Sequence, residues 1–164
     1  MDDILDIEYI FRCASVFRNA LEYVSEKQKY GRLNLFACFP NGCCRWTSDL
    51  LATYLIDCGV DMERIQVGDS ETKQGGYTHC WVMIDDEIYV DITADQFNGK
   101  PYFKKYEPIA DCFVVERNTY LYELFNKTKT YFTHNVGIES YSGDIPHKLR
   151  VVYDAAVRYI ESGI

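Results

Sequence analysis

The chain has 164 residues, of which 48% are hydrophobic and 15% aromatic; this fits one folded domain over residues 1–164 and excludes intrinsic disorder. Its formal charge of -8 argues against nucleic acid or an anionic membrane surface as a partner. No apolar run approaches the roughly 18 residues of a membrane helix. The start, Met1-Asp2-Asp3, lacks the basic stretch of a secretory signal, so we expect a cytoplasmic protein that binds no membrane.

The cysteines are odd in number and irregularly spaced, and in a chain without an export signal they predict free thiols, most of them in the core. They are Cys13, Cys38, Cys43, Cys44, Cys58, Cys80 and Cys112. Four of them, with His79, could in principle collect a zinc ion, but their spacing matches no usual ligand pattern. We therefore predict no metal site.

The predicted elements begin with a helix over about Ile4–Lys29. Its apolar residues recur at steps of three or four and form one stripe: Ile10, Cys13, Phe17, Leu21 and Val24. The sequence Pro40-Asn41-Gly42 signals a tight turn before a second helix, over about Cys43–Asp57. Two apolar faces on this second helix predict that it is central and deeply buried.

The pattern then changes from a helical to a strand period. Strands are predicted over Thr78–Ile84, Glu87–Thr93 and about Cys112–Glu116, with a short helix over Tyr120–Asn126 and a last helix from near Asp144. The stretch through Gly75-Gly76 is polar, and no strand is predicted there. Helices followed by an antiparallel sheet and a further helix predict an α+β domain.

The most informative feature is a cysteine at a helix start followed by a histidine at a strand start. A thiolate is favoured by a helix N-terminus and by a nearby imidazolium, and Cys43 and Cys44 occupy such a start. Gly42 allows the sharp turn and leaves room for a substrate. A neutral His79 can take a proton from the thiol and return it to a leaving amine.

Asp91 lies on the next predicted strand between apolar neighbours, where a carboxylate needs a partner. It is the candidate to orient His79, and Tyr120 or a backbone amide can also satisfy it. Taken singly, these residues are more often a core thiol, a structural histidine and a strand-end cap. The three in this order favour catalysis, whereas His134 and His147 are predicted on the surface.

Three segments carry a resemblance to a known family: Phe39-Pro40-Asn41-Gly42-Cys43-Cys44, Thr78-His79-Cys80-Trp81-Val82 and Asp91-Ile92-Thr93-Ala94-Asp95-Gln96-Phe97. They resemble the bacterial transglutaminase-like cysteine proteins of the papain-like superfamily, over roughly residues 39–97. The resemblance implies a papain-like fold with a central nucleophile-bearing helix packed on an antiparallel sheet and further helices at both termini. It also implies Cys44 as nucleophile, His79 as base and Asp91 as orienting group, with no cofactor.

The resemblance also bears on the oxyanion hole. Many papain-like enzymes carry a glutamine six residues before the nucleophile, where this chain has Cys38. The hole is therefore expected from the Cys44 backbone amide and another group such as Asn41. Gly42, Cys43 and Trp81 complete the expected substrate and oxyanion region.

The leading prediction is thiol-dependent acyl transfer on an amide, either hydrolysis or transfer to an amine, with a peptide, protein or small amide as substrate. The acidic charge favours cationic or neutral substrates. The alternative is a catalytically silent binding module that keeps the fold. A redox pair formed by Cys43 and Cys44 is disfavoured because adjacent helical cysteines do not meet disulfide geometry.

The catalytic interpretation makes a geometric demand on the two central strands. Side chains alternate faces along a strand, so His79 and Asp91 must share one face. A two-residue turn at Asp85-Asp86 would put them on opposite faces, and Asp95 would then be the next candidate. The interpretation therefore predicts an odd loop or a β-bulge between Ile84 and Ile88.

Overall fold

The protein is described by a computed structural model over residues 6–27, 35–116, 120–125 and 130–163. Its α-helices are α1 (Ile7–Lys27), α2 (Cys44–Asp57), α3 (Tyr120–Glu123) and α4 (Ile145–Ser162). Its strands are β1 (Ile65–Glu71), β2 (Thr78–Ile84), β3 (Ile88–Asp91), β4 (Phe113–Glu116) and β5 (Tyr131–Thr133). The predicted ends of the first helix and of the short helix, at residues 4–5, 28–29 and 126, lie outside the described residues.

The five strands found among the described residues form one antiparallel sheet in the order β4-β3-β2-β1-β5. The α+β class and the antiparallel sheet are thus confirmed, and β1 and β5 are additions to the predicted strands. Close packing explains the glycine at position 68 in β1, because an added Cβ would meet Phe132 at 2.6 Å and Trp81 at 3.1 Å.

The helices bury the faces that the sequence predicts. All five residues of the predicted α1 stripe are buried. In α2, Leu50, Leu51 and Leu55 are at most 1% exposed, which confirms a central helix. Phe17 of α1 stacks on Tyr54 of α2 with ring centroids 4.6 Å apart, and burial of such apolar surface supplies most of the folding free energy. The described helices include none that is long and apolar enough to cross a membrane.

Strand β2 separates two hydrophobic clusters because its side chains alternate between the sheet faces. Cys80, Val82 and Ile84 join the cluster that includes α1, α2 and α4. The other face of the sheet carries an aromatic cluster, which consists of Trp81, Tyr89, Phe97, Phe103, Tyr122 and Phe125. The N-terminal end of α2 and the start of β2 meet at the border of these clusters, where the predicted site residues lie.

Candidate active site

The turn before α2 places two cysteines at the start of a buried helix. Gly42 has φ +70°, a left-handed conformation that favours glycine, and it is followed by Cys43 as the N-cap and Cys44 as the first helical residue. Cys43 makes no side-chain capping hydrogen bond. The first backbone N–H groups of α2, including that of Cys44, therefore receive no acceptor from the N-cap side chain and can bind another acceptor.

The two thiols differ in their surroundings. Cys43 is 2% exposed, and its sulfur accepts a hydrogen bond from the Thr47 hydroxyl at 3.5 Å. Burial raises the pKa of Cys43 to about 11, so this thiol stays protonated at neutral pH. Cys44 is partly exposed and lies beside His79 and Cys80. This contrast favours Cys44 over Cys43 as the reactive thiol.

His79 and Asp91 form a buried pair at the centre of the sheet, with exposures of 0% and 1%. The imidazole Nε2 lies 2.6 Å from Asp91 Oδ2. The same carboxylate accepts the Tyr122 hydroxyl at 2.9 Å and the backbone N–H of Thr93 at 2.9 Å. The predicted backbone-amide partner is confirmed. Tyr122 is a partner that the sequence did not predict, and the side chain of the predicted Tyr120 lies outside the described part of the structure.

The register between β2 and β3 explains why these two side chains meet. Ile84 pairs with Ile88, so the loop has three residues, 85–87. This is the odd loop that the catalytic interpretation requires, and the prediction is confirmed. It puts Asp91 on the same sheet face as His79, one step along the neighbouring strand.

The electrostatics of Cys44 are those of an activated thiol. A hydrogen bond with the Cys80 side chain lowers its pKa, burial opposes this, and the hydrogen bond and charge of His79 lower it further, to about 4. The Cys80 backbone N–H adds to the effect. The hydrogen bond to Cys44 and burial in turn raise the pKa of Cys80, so Cys80 stays a thiol and acts as a donor.

The imidazole is held in its charged form by the same network. Burial alone lowers the pKa of His79, but the charge and hydrogen bond of Asp91, followed by Cys44, raise it to about 9. Burial raises the pKa of Asp91. The charge of His79 and the hydrogen bonds that the carboxylate accepts outweigh this effect, so the pKa of Asp91 is lowered. These pKa shifts favour a thiolate at Cys44, an imidazolium at His79 and a carboxylate at Asp91 at neutral pH.

The other predicted site residues lie around this series in different roles. Asn41 and Gly42 are exposed on the turn before α2. Trp81 is 1% exposed, with its ring 5.8 Å from that of His79, so it supports the imidazole from within the aromatic cluster. His134 and His147 are exposed, which confirms their predicted surface position.

Two residues near the imidazole were not predicted as partners, Gln96 and Cys80. The side-chain nitrogen of Gln96 lies 3.3 Å from His79 Nδ1 and donates to the Thr93 carbonyl at 2.9 Å. Cys80 is the neighbour of His79 in the sequence, and Gln96 follows Asp91 by five residues. This closeness in sequence was the signal that could have identified them.

All seven cysteines are free thiols. Within residues 6–27, 35–116, 120–125 and 130–163, the structure contains no group of three or more His, Cys, Asp or Glu side chains that could hold a metal ion. Comparison with family models, curated proteins and solved structures finds no match for this chain.

Proposed function

We propose that this protein is a thiol-dependent acyl-transfer enzyme that acts on amides, with Cys44 as nucleophile. The observation that carries the proposal is the connected series Cys44, His79 and Asp91, in which the carboxylate is 2.6 Å from the imidazole and the imidazole interacts with the thiol. A nucleophile, a base and an orienting carboxylate in contact are the recurring parts of covalent acyl transfer.

The proposed reaction has two halves, formation and breakdown of a thioester, and each of the three groups acts in both. The Cys44 thiolate attacks the carbonyl carbon, and the tetrahedral intermediate expels the amine, which takes a proton from His79 Nδ1. The product is a thioester. Water or a second amine then gives its proton to His79 as it attacks the thioester, and Cys44 leaves as a thiolate. Asp91 keeps the proton on Nε2 throughout, because a carboxylate only accepts hydrogen bonds.

The proposal includes the transglutaminase-like and papain-like assignment. It is supported by a cysteine at the N-terminus of a central helix, a histidine on a strand and an aspartate on the next strand of an antiparallel sheet. Peptides, proteins and small amides are the proposed substrates, with cationic or neutral ones favoured by the formal charge of -8.

The proposal predicts that p-nitrophenyl acetate acetylates Cys44, because this activated ester needs a nucleophilic thiolate and little protonation of its leaving group. Release of p-nitrophenolate and an acetyl group located on Cys44 by peptide mass spectrometry provide the measurement. Cys44→Ala should abolish this acetylation.

Cys43→Ala is the matched control, since it removes the neighbouring thiol and leaves Cys44 in place. It should keep the acetylation of Cys44. Acetyl transfer that persists in Cys44→Ala and disappears in Cys43→Ala would contradict the assignment of the nucleophile. An unacetylated wild-type Cys44 would contradict the proposed function.

A further inference from the structure

Gln96 lies on a segment that is firmly attached to the rest of the fold. The short 3₁₀ turn Ala94–Phe97 begins three residues after Asp91, the last residue of β3. Its Asp95 accepts two hydrogen bonds from Arg18 of α1, at 2.8 and 2.9 Å, and Arg18 also donates to the Ile92 carbonyl at 2.6 Å. Arg18 is 3% exposed, so this bidentate contact is well shielded from solvent. The backbone that carries Gln96 is thereby fixed against α1.

The orientation of the Gln96 amide follows from its partners. The Thr93 carbonyl only accepts, so the end of the amide that lies 2.9 Å from it must be the NH2 group. The same nitrogen lies 3.3 Å from His79 Nδ1. Since Asp91 holds the proton on Nε2, a neutral imidazole has its lone pair on Nδ1, where it can accept the second amide hydrogen.

Protonation of His79 changes this contact. Once Nδ1 carries a proton, both it and the Gln96 amide are donors, and the amide hydrogen loses its acceptor. Gln96 is half-buried, and a donor left unsatisfied in such a place has a free-energy cost until another acceptor arrives. A carbonyl oxygen that gains negative charge next to the Cys44 sulfur is such an acceptor.

We propose that the side-chain amide of Gln96 donates a hydrogen bond to the oxygen of the carbonyl that Cys44 attacks, with the backbone N–H of Cys44 as the second donor. This inference rests on the proposed acyl transfer. It places the oxyanion donor after β3 and not on the turn that carries Asn41. The donor becomes available when the imidazole is charged, which is the state that precedes attack by the thiolate.

The test separates attack on a carbonyl from the reactivity of the thiol itself. Gln96→Met keeps the side-chain length and removes the donor. Acetylation of Cys44 by p-nitrophenyl acetate passes through an oxyanion and should slow by about 10²–10³-fold. Alkylation of Cys44 by iodoacetamide displaces iodide without an oxyanion, and its rate should stay as in the wild type. An unchanged alkylation rate also shows that the site remains folded.

Gln66→Met is the matched control, because Gln66 is also half-buried and its amide donates to Asp86 at 2.6 Å in the loop between β2 and β3. Both reactions should proceed there as in the wild type. Unchanged acetylation in Gln96→Met overturns the inference, and so does an equal loss of acetylation and alkylation, which would make Gln96 a positioning residue for His79. A wild-type protein that is alkylated but never acetylated overturns the proposed function as well, so the two failures are distinguishable.

Discussion

Replacement of His79 by glutamine is expected to slow the steady-state turnover of p-nitrophenyl acetate by about 10²–10⁴-fold, the usual contribution of a general base. Hydrolysis of the acetyl thioester requires a group that takes a proton from water, and His79 is the base whose hydrogen bond and charge act on Cys44. The hydrogen bond with Cys80 is the largest cause of the lowered pKa of Cys44 and does not involve His79, so acetylation should continue. The acetyl enzyme should therefore accumulate, and intact-mass spectrometry after mixing checks this directly.

His134→Gln is the control for this experiment. His134 is exposed, and its Nδ1 lies 3.1 Å from the Ile65 carbonyl, at the opposite end of β1 from the residues that pair with the start of β2. Its replacement should leave turnover unchanged. Wild-type turnover in His79→Gln, without accumulation of the acetyl enzyme, would contradict a base role for His79.

Replacement of Asp91 by alanine is expected to lower the free energy of unfolding by about 3–5 kcal/mol, the usual cost of removing one partner of a buried ion pair. For a chain of this length this corresponds to a decrease in melting temperature of roughly 6–20 °C. The variant leaves His79, the Tyr122 hydroxyl and the Thr93 N–H buried without their shared acceptor. Tyr122→Phe removes one of the donors and should cost less, roughly 1.5–3 kcal/mol.

The stability difference between wild type and Asp91→Ala should depend on pH in a defined direction. The lowered pKa of Asp91 makes its contribution present above the unfolded value of roughly 3.9 and lost as the pH falls further. The raised pKa of His79 makes its contribution present below roughly 6.5. This contribution is lost as the pH rises through about 9. Denaturant unfolding at several pH values should therefore show the largest difference between these unfolded values, and a constant difference would contradict a charged pair.

The helices and the central hairpin were predictable because their determinants are local. The α1 stripe reflects a helical period, and all of it is buried. The relation between His79 and Asp91 followed from strand alternation once an odd loop was required, and the pairing of Ile84 with Ile88 provides it. Short-range pattern and elementary geometry were sufficient for these features.

Strands β1 and β5 were not predictable because their determinants are tertiary. In β1, Ile65 and Val67 are the apolar residues of a segment that also contains Gly68, Asp69 and Ser70. This alternation is too short to stand out from a polar stretch. It becomes a strand because it pairs with β2 along its whole length, from Ile65 opposite Ile84. Pairing with a buried neighbour outweighs the local propensity.

The partners of the proposed catalytic series depend on contacts between distant parts of the chain. Tyr122 is 31 residues from Asp91, and its approach to the carboxylate is set by the packing of α3 into the aromatic cluster. Gln96 reaches His79 because the turn after β3 folds back, with Arg18 holding Asp95. Residue type and spacing predicted a site formed by Cys43 or Cys44 with His79 and Asp91, and the family resemblance pointed to Cys44. The three-dimensional structure was needed for the residues that surround them.

The most direct test of the central claim is the pH dependence of iodoacetamide alkylation in the wild-type protein, followed at each cysteine by peptide mass spectrometry. A thiolate at Cys44 that is stabilised by Cys80 and His79 predicts a midpoint near pH 4. Cys43, with a pKa of about 11, should remain unlabelled at neutral pH. A midpoint for Cys44 near the ordinary thiol value of roughly 8.5 would contradict the account.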